Sequence, residues 1–161
     1  MTKHCADSIV VAAEVPTGAS ILDLGSGGGF PGIVVACVRP DSEVTLVDAK
    51  QRACSFLESV AARLHLNNVR VVNARFDGLR RTGSIPADGI DLVVSRGVNL
   101  APFLGEVRLF LKGAGTLLLM LSGVQETPDR ELAEAGFRHR RDRSYVLPTS
   151  ESRRIAVYVG G

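Results

Sequence analysis

The stretch with the clearest chemical character is Asp23–Gly32, DLGSGGGFPG, which carries five glycines in ten residues. Glycine has no Cβ, so its backbone adopts positive φ easily and a ligand can lie against its N–H groups. Gly27, Gly29 and Gly32 also fit the G-x-G-x-x-G pattern of nucleotide-binding turns. The stretch therefore predicts that a nucleotide-like ligand approaches the backbone here.

Two acidic residues accompany this turn and indicate which nucleotide it binds. Asp23 precedes the first glycine by two residues, where a carboxylate can take the ammonium group of a bound amino acid, directly or through water. The pyrophosphate of NAD would be repelled there. Asp48 ends the next apolar segment and is placed to bind ribose hydroxyls, although an Asp before a helix can also be its N-cap. Together they favour S-adenosylmethionine over NAD.

A third segment of interest leaves the next apolar run at Ala74-Arg75-Phe76-Asp77. An adenine ring would lie here between apolar side chains and accept backbone hydrogen bonds. Phe76 is equally consistent with an ordinary core residue.

These residues must be positioned by strands and helices that alternate along most of the chain. Apolar strands separated by helical segments predict right-handed crossovers and a parallel sheet covered on both faces. The last two strands are too close in sequence for a crossover helix, so they are predicted to form an antiparallel hairpin. A dinucleotide-binding fold would instead continue with a sixth parallel strand. The predicted strands are Ser20–Leu24, Glu43–Asp48, Val69–Ala74, Ile90–Ser95, Gly115–Leu121, Phe137–Leu147 and Arg153–Val159. After a short amphipathic opening at Ile9–Val15, the predicted helical segments are Ile33–Val38, Lys50–Leu64, Ala101–Leu111 and Pro128–Ala135.

The fold class predicted is thus a Rossmann-like class I S-adenosylmethionine-dependent methyltransferase fold. It has a mostly parallel seven-stranded sheet and a C-terminal antiparallel hairpin, in one domain over residues 1–161. A chain of 161 residues buries enough surface for one core. It has no apolar run of about 18 residues and no secretory signal, which predicts a cytoplasmic protein without membrane attachment.

Composition excludes other classes of site. Cys5, Cys37 and Cys54 are odd in number and lack Cys-x-x-Cys spacing, so we expect buried thiols and no metal cofactor. The net charge of +2 is too small to indicate nucleic-acid binding by itself. The basic residues are nevertheless clustered, most densely at Arg138–Arg143, which includes Arg140 as a candidate for substrate binding. A solvated strand face is the alternative interpretation of this cluster.

The residues quoted above, with three further motifs, resemble the ribosomal RNA small subunit methyltransferase G family, also called glucose-inhibited division protein B. The likeness covers nearly the whole chain, and Gly-Phe-Pro-Gly at residues 29–32 is its most specific element. The other matching motifs are His4-x-x-Asp7-Ser8-Ile9-Val10-Val11, Thr45-Leu46-Val47-Asp48 with Phe56-Leu57, and Val94-Ser95-Arg96.

The resemblance implies S-adenosylmethionine as cofactor and N7 of a guanine in small-subunit ribosomal RNA as the methyl acceptor, with ribosomal RNA or the small subunit as partner. We expect a monomer. Arg96 is the one residue expected to be catalytic, holding an RNA phosphate or the guanine O6 edge, and a salt bridge to Asp77 or Asp91 is its structural alternative. His4 is expected on the substrate side. The resemblance places Gly25, Gly27, Gly29, Phe30 and Gly32 in the donor cradle, Asp48 at the ribose, and Ala74, Arg75 and Asp77 around the adenine.

The chain also departs from the family pattern. No stretch matches the N-terminal helical region that precedes the family's counterpart of His4–Val11, so we expect a shortened form or a minimal relative. Ala53 and Ser122 replace two family lysine or arginine positions, which bears on RNA contact more than on donor binding. Two alternative functions therefore stay open, a small-molecule methyltransferase on the same fold and a non-catalytic S-adenosylmethionine-binding module.

Overall fold

Seven strands pair into one sheet in the computed structural model, which describes residues 2–161. Their spatial order is β3-β2-β1-β4-β5-β7-β6, with β1 to β5 parallel and β7 antiparallel to both of its neighbours. The strands are β1 (Ser20–Leu24), β2 (Glu43–Asp48), β3 (Val69–Asn73), β4 (Ile90–Arg96), β5 (Leu111–Ser122), β6 (Phe137–Val146) and β7 (Ser152–Gly160). The predicted parallel sheet with a terminal antiparallel hairpin is confirmed.

Helices cover both faces of this sheet. They are α1 (Thr2–Ala12), α2 (Gly32–Val38), α3 (Gln51–Arg63), α4 (Leu104–Phe110) and α5 (Asp129–Glu134), with short 3₁₀ helices at Phe76–Thr82 and Ala101–Phe103. None of the helices described for residues 2–161 is both long and apolar enough to cross a bilayer.

The apolar strands bury side chains on both sides of the sheet. Leu22 and Leu24 of β1 belong to one core cluster, and Ile21 of the same strand belongs to the other. Burial on both faces explains why the central strands are almost uninterrupted apolar runs in the sequence. The carboxyl ends of β1, β2 and β4 meet at one end of the sheet. The strands after β1 continue on one side of it as β2 and β3 and on the other side as β4 and β5, so the strand order reverses at β1. Open α/β sheets bind ligands at this end of the sheet.

Three sequence predictions are corrected by the structure. The first helix begins at Thr2 rather than Ile9, because buried polar residues, which apolar periodicity does not register, fill its first turns: Asp7 and Ser8 are buried. Strand β5 begins at Leu111, which pairs with Ile90, so the predicted helix ends before it. Cys54 is buried as expected, whereas Cys37 is exposed.

Candidate donor and substrate site

Asp23 lies near the end of β1 and is almost completely buried, with 1% of its surface exposed. Its Oδ2 accepts a hydrogen bond from the Gly32 backbone N–H at 2.8 Å, which ties the strand to the first turn of α2. Its Oδ1 is buried and has no hydrogen-bond partner among residues 2–161. Burial raises the pKa of this carboxyl to about 7. The unpaired oxygen is a fitting acceptor for the ammonium group of S-adenosylmethionine.

The glycines of the turn serve two different purposes. A Cβ on Gly25 would lie 2.3 Å from Val98 Cγ2, and a Cβ on Gly32 would lie 2.2 Å from Leu46 Cδ2, so the protein's own side chains occupy that space. Gly29 has φ +87° and a Cβ there would lie 2.7 Å from Ile33 Cγ1. Gly27 (φ +49°) has no such close neighbour. A Cβ on Gly28 would likewise meet nothing closer than 4.0 Å among residues 2–161, so the turn leaves open space next to its backbone at Gly27 and Gly28, where the expected ligand approach fits best.

Asp48, at the end of β2, is joined to the glycine turn through the backbone. Its Oδ2 accepts from the Gly27 N–H at 2.9 Å, and its Oδ1 accepts from the Lys50 N–H at 2.8 Å. The N-cap of α3 is Lys50, which forms no side-chain capping bond, so the N-cap alternative for Asp48 is wrong. A carboxylate accepts about four hydrogen bonds, so both oxygens retain capacity for ribose hydroxyls.

The segment after β3 lies beside the same turn. Phe76 Cζ lies 3.8 Å from the Cβ position of Gly25, and its ring packs edge-on against Phe103 with centroids 5.5 Å apart. Phe76 is therefore part of the core and also a wall of the site. The Ala74 N–H donates to the carbonyl of Asp48 at 3.1 Å, and Arg75 pairs with Asp77 at 3.4 Å on the surface.

Arg96 ends β4, on the face of the sheet that α1 covers. Its Nη2 lies 2.5 Å from His4 Nδ1, and its Nη1 lies 3.7 Å from Asp7 Oδ2. The salt bridge expected as its alternative, to Asp77 or Asp91, is wrong, and Asp7 takes that place. Nη1 is buried and has no hydrogen-bond partner within the described part of the chain. A guanidinium N–H is thus held at the carboxyl end of the sheet with capacity for an acceptor.

His4 completes this corner of the site. Its ring lies 5.6 Å from that of Phe30, centroid to centroid, which brings the donor turn next to Arg96. Burial and the neighbouring Arg96 cation lower the pKa of His4, so the imidazole is neutral at pH 7. A neutral His4 that accepts from Arg96 at Nδ1 carries its hydrogen on Nε2.

Asp7 of α1 and Glu14, which follows that helix, are both held by the C-terminal hairpin. Asp7 accepts a hydrogen bond from the Tyr145 hydroxyl and lies 3.9 Å from Arg153 Nε. Glu14, just after the helix, pairs with Arg143 at 2.8 Å and with Arg141. We call these contacts, between Asp7 and Glu14 on one side and Arg141, Arg143, Tyr145 and Arg153 on the other, the α1 clamp. Burial and the Asp7 hydrogen bond raise the pKa of Tyr145 above its ordinary value.

The structure does not bring all predicted residues to this site. Arg140 is exposed on β6, which is the last strand on one side of the sheet and lies three strands away from β4. Sequence reasoning missed Tyr145 and Arg153, since nothing in a single sequence marks a tyrosine or arginine as the partner of a helix 140 residues away. Within residues 2–161, no three His, Cys, Asp or Glu side chains are grouped as metal ligands would be.

Fold and site together define a class I S-adenosylmethionine-dependent methyltransferase. The family model for rRNA small subunit methyltransferase G matches residues 1–155. The chain therefore belongs to the rRNA small subunit methyltransferase G family.

Individual relatives of the chain carry the name of the same family. The chain is 34% identical to ribosomal RNA small subunit methyltransferase G of Methylobacillus flagellatus, over 99% of this chain and 74% of that protein. It is 35% identical to the protein of the same name from Myxococcus xanthus, over 98% of this chain and 74% of that protein.

Solved structures share the fold at low sequence identity. A methyltransferase from Aquifex aeolicus, described as SAM-dependent, has TM-score 0.71 at 19% identity, covering 94% of this chain and 89% of its own. Geranyl diphosphate C-methyltransferase from Streptomyces coelicolor has TM-score 0.76 at 12% identity, covering 97% and 80%. The predicted family, the fold class and S-adenosylmethionine as cofactor are confirmed; the monomeric state stays a prediction.

Proposed function

We propose that this chain transfers a methyl group from S-adenosylmethionine to N7 of a guanine in small-subunit ribosomal RNA. The observation that carries the proposal is the buried Arg96 Nη1 group, which has no hydrogen-bond partner among residues 2–161 and is held beside the donor turn at the carboxyl end of β4. The names of the Methylobacillus and Myxococcus relatives support ribosomal RNA of the small subunit as substrate.

The residues that would hold the donor are those that end the first two strands. Asp23 would bind the ammonium group and Asp48 the ribose, while Phe76 and the backbone of Ala74–Asp77 would border the adenine. When bound, S-adenosylmethionine supplies a methyl group on a positively charged sulfur, which the free lone pair of guanine N7 can attack without losing a proton. The protein is thus left with binding and orientation, which can lower a barrier by several kcal/mol.

Arg96 is the group proposed to orient the guanine. Its planar guanidinium would donate to guanine O6 or to an RNA phosphate. The His4 contact at Nη2 and the Asp7 carboxylate 3.7 Å from Nη1 hold the guanidinium from the side of α1, so the Nη1 group, which lacks a hydrogen-bond partner among residues 2–161, has a fixed direction. A general base is not required, and a neutral His4 acts here only as a partner of Arg96.

The test uses unmodified small subunits, labelled methyl donor and nucleoside analysis for N7-methylguanosine. Arg96→Ala should reduce kcat about 100-fold, as expected for loss of one oriented donor to the reacting group. Donor affinity should stay within about threefold, since the Asp23 and Asp48 contacts are unchanged. Arg96→Lys is the matched control, because it keeps the charge and removes the planar fork.

Three outcomes would contradict the proposal in different ways. Equal kcat in wild type and Arg96→Ala would remove Arg96 from the mechanism. Label on another atom or nucleotide would replace guanine N7 as the acceptor. Donor binding without any methyl transfer would indicate a non-catalytic binding module.

A second candidate is a methyltransferase of small molecules. A cleft of about 620 Å³ lies at the carboxyl ends of β4 and β5, with an apolar floor that includes Leu119 and Leu121. Val98 separates this cleft from Gly25 of the donor turn. Salt dependence distinguishes the two functions, because RNA binding weakens steeply with ionic strength while binding of a small neutral substrate barely changes.

A further inference from the structure

The C-terminal hairpin concentrates the positive charge of the chain. Residues 137–160 contain six of the nineteen Lys and Arg residues but only two of the seventeen Asp and Glu residues. The hairpin alone is therefore net +4, while the whole chain is +2. A fold with mixed surface charge does not require such an asymmetry, and it is the electrostatic pattern of a surface that meets an anionic polymer.

A β-bulge places three arginines of β6, Arg138, Arg141 and Arg143, on one face. Arg138 pairs with Val159, Arg141 with Val157 and Arg143 with Ile155 across the ladder, and the register shifts between His139 and Arg141. Simple alternation would put Arg138 and Arg141 on opposite faces. The extra residue, Arg140, restores them to the same face, and bulges are known to re-aim side chains in this way.

The chain's own acids neutralise this face only in part. Arg141 and Arg143 share the single carboxylate of Glu14 and keep 49% and 45% of their side chains exposed. Arg138 and Arg140 are exposed and form no salt bridge within residues 2–161. We call Arg138, Arg140, Arg141 and Arg143 the arginine row.

The arginine row leads to the proposed reaction site. Tyr145 follows Arg143 on the same face of β6, and its hydroxyl bonds to Asp7, which lies beside Arg96. At roughly 3.4 Å per strand residue, the row together with Tyr145 extends about 20 Å along the strand. This length corresponds to several nucleotides of RNA.

We infer that the arginine row binds the sugar–phosphate backbone of RNA several nucleotides away from the methylated guanine. The inference rests on the proposed function and deepens it, because it adds a docking surface outside the reaction site. Guanidinium contacts to phosphates position an RNA without reading its sequence. Glu14 fixes two of the four guanidiniums in advance, so less side-chain freedom is lost on binding.

The test removes the two arginines that have no role in the α1 clamp. Arg138→Gln combined with Arg140→Gln should lower the slope of log affinity against log salt by about 1.4, since each phosphate contact to a single strand contributes about 0.7. At physiological salt, KM for small subunits should rise about tenfold with kcat nearly unchanged. Donor affinity should not change.

The matched control is Arg63→Gln combined with Arg70→Gln. It removes the same charge from the opposite edge of the sheet, where Arg63 ends α3 and Arg70 lies on β3. Equal loss in both double variants would show a net-charge effect and overturn the inference. Unfolding curves of both variants should match the wild type, as expected for exposed substitutions.

The remaining outcomes separate this inference from the proposed function. Wild-type methylation with an unchanged salt slope in the Arg138/Arg140 variant would overturn the arginine row alone. Reduced binding to assembled subunits with full binding to naked 16S RNA would assign the row to a ribosomal protein and overturn its assignment to RNA. Absence of methylation by the wild type would contradict the proposed function whatever the salt slopes are.

Discussion

The donor turn and the α1 clamp are held in place by different forces. The donor turn depends on backbone hydrogen bonds and on the absence of side chains, as at Gly32 between Leu46 and Asp23. The α1 clamp depends on charged side chains that meet over more than 120 residues of sequence, as between Glu14 and Arg143. The cofactor side is thus sterically defined, whereas the substrate side is assembled by charged contacts.

The largest effect is expected from a methyl group added to the donor turn. In Gly32→Ala, the new Cβ would lie 2.2 Å from Leu46 Cδ2 and 2.5 Å from Asp23 Oδ2, both buried. We expect roughly 3 kcal/mol of destabilisation from overpacking, with donor binding lost by more than about 100-fold. Denaturant unfolding and donor titration measure these two effects.

Gly105→Ala is the control for this substitution. Gly105 lies in α4, and among residues 2–161 its added Cβ would meet nothing within 4 Å. The same change there should stabilise the protein by about 0.5–1 kcal/mol, because alanine favours the helix. Normal donor binding by Gly32→Ala would refute the view that steric closeness defines the donor turn.

A pH-dependent effect is expected at Asp23. Burial raises the pKa of this carboxyl from 3.8 to about 7, so the folded state holds a proton that the unfolded chain has released. Its contribution to stability is full below about pH 4 and is lost as pH rises to about 7, by up to roughly 4 kcal/mol. Asp23→Asn should remove this dependence of the unfolding free energy on pH. Denaturant unfolding of both proteins from pH 4 to 8 would show it as a difference in unfolding free energy that changes with pH.

Donor binding should have the opposite dependence on pH. Only the ionised Asp23 can pair with an ammonium group, so the donor affinity of the wild type should rise by up to about tenfold per pH unit below pH 7. Asp23→Asn should bind weakly at every pH. Parallel pH slopes in the two proteins would exclude Asp23 as the ammonium partner.

A smaller effect is expected in the α1 clamp. Asp7→Asn removes the carboxylate that faces Arg96 and Arg153, whose side chains are 25% and 22% exposed. We expect about 1–3 kcal/mol of destabilisation, since partly solvated guanidiniums are screened. We also expect kcat to fall about tenfold because Arg96 loses its lateral support, while donor affinity stays unchanged.

Tyr145→Phe is the companion variant for this prediction. It removes one hydrogen bond to Asp7 and keeps the charges, so it should cost about 1 kcal/mol with little change in kcat. If Asp7→Asn instead weakened donor binding and spared kcat, the division into a cofactor side and a substrate side would be wrong.

Elements with local signals could be predicted from the amino-acid sequence. Strands β1 and β2 begin and end where predicted, because their apolar runs are bounded by turn residues and buried on both faces. The glycine turn and the acids that accompany it were also predicted, since backbone freedom and strand ends can be recognised within a few residues. The antiparallel hairpin followed from the short connection between its strands.

Contacts between distant side chains could not be predicted from the sequence, because they depend on how the elements pack. The partner of Arg96 was expected at Asp77 or Asp91 but is Asp7 on α1, because the first helix packs over the sheet beside β4. The bulge at Arg140 places Arg138 and Arg141 on the same face of β6, which strict alternation along the strand would not predict. Charged contacts carry no periodic pattern along the chain, so their pairing is set by how the helix and the hairpin pack together.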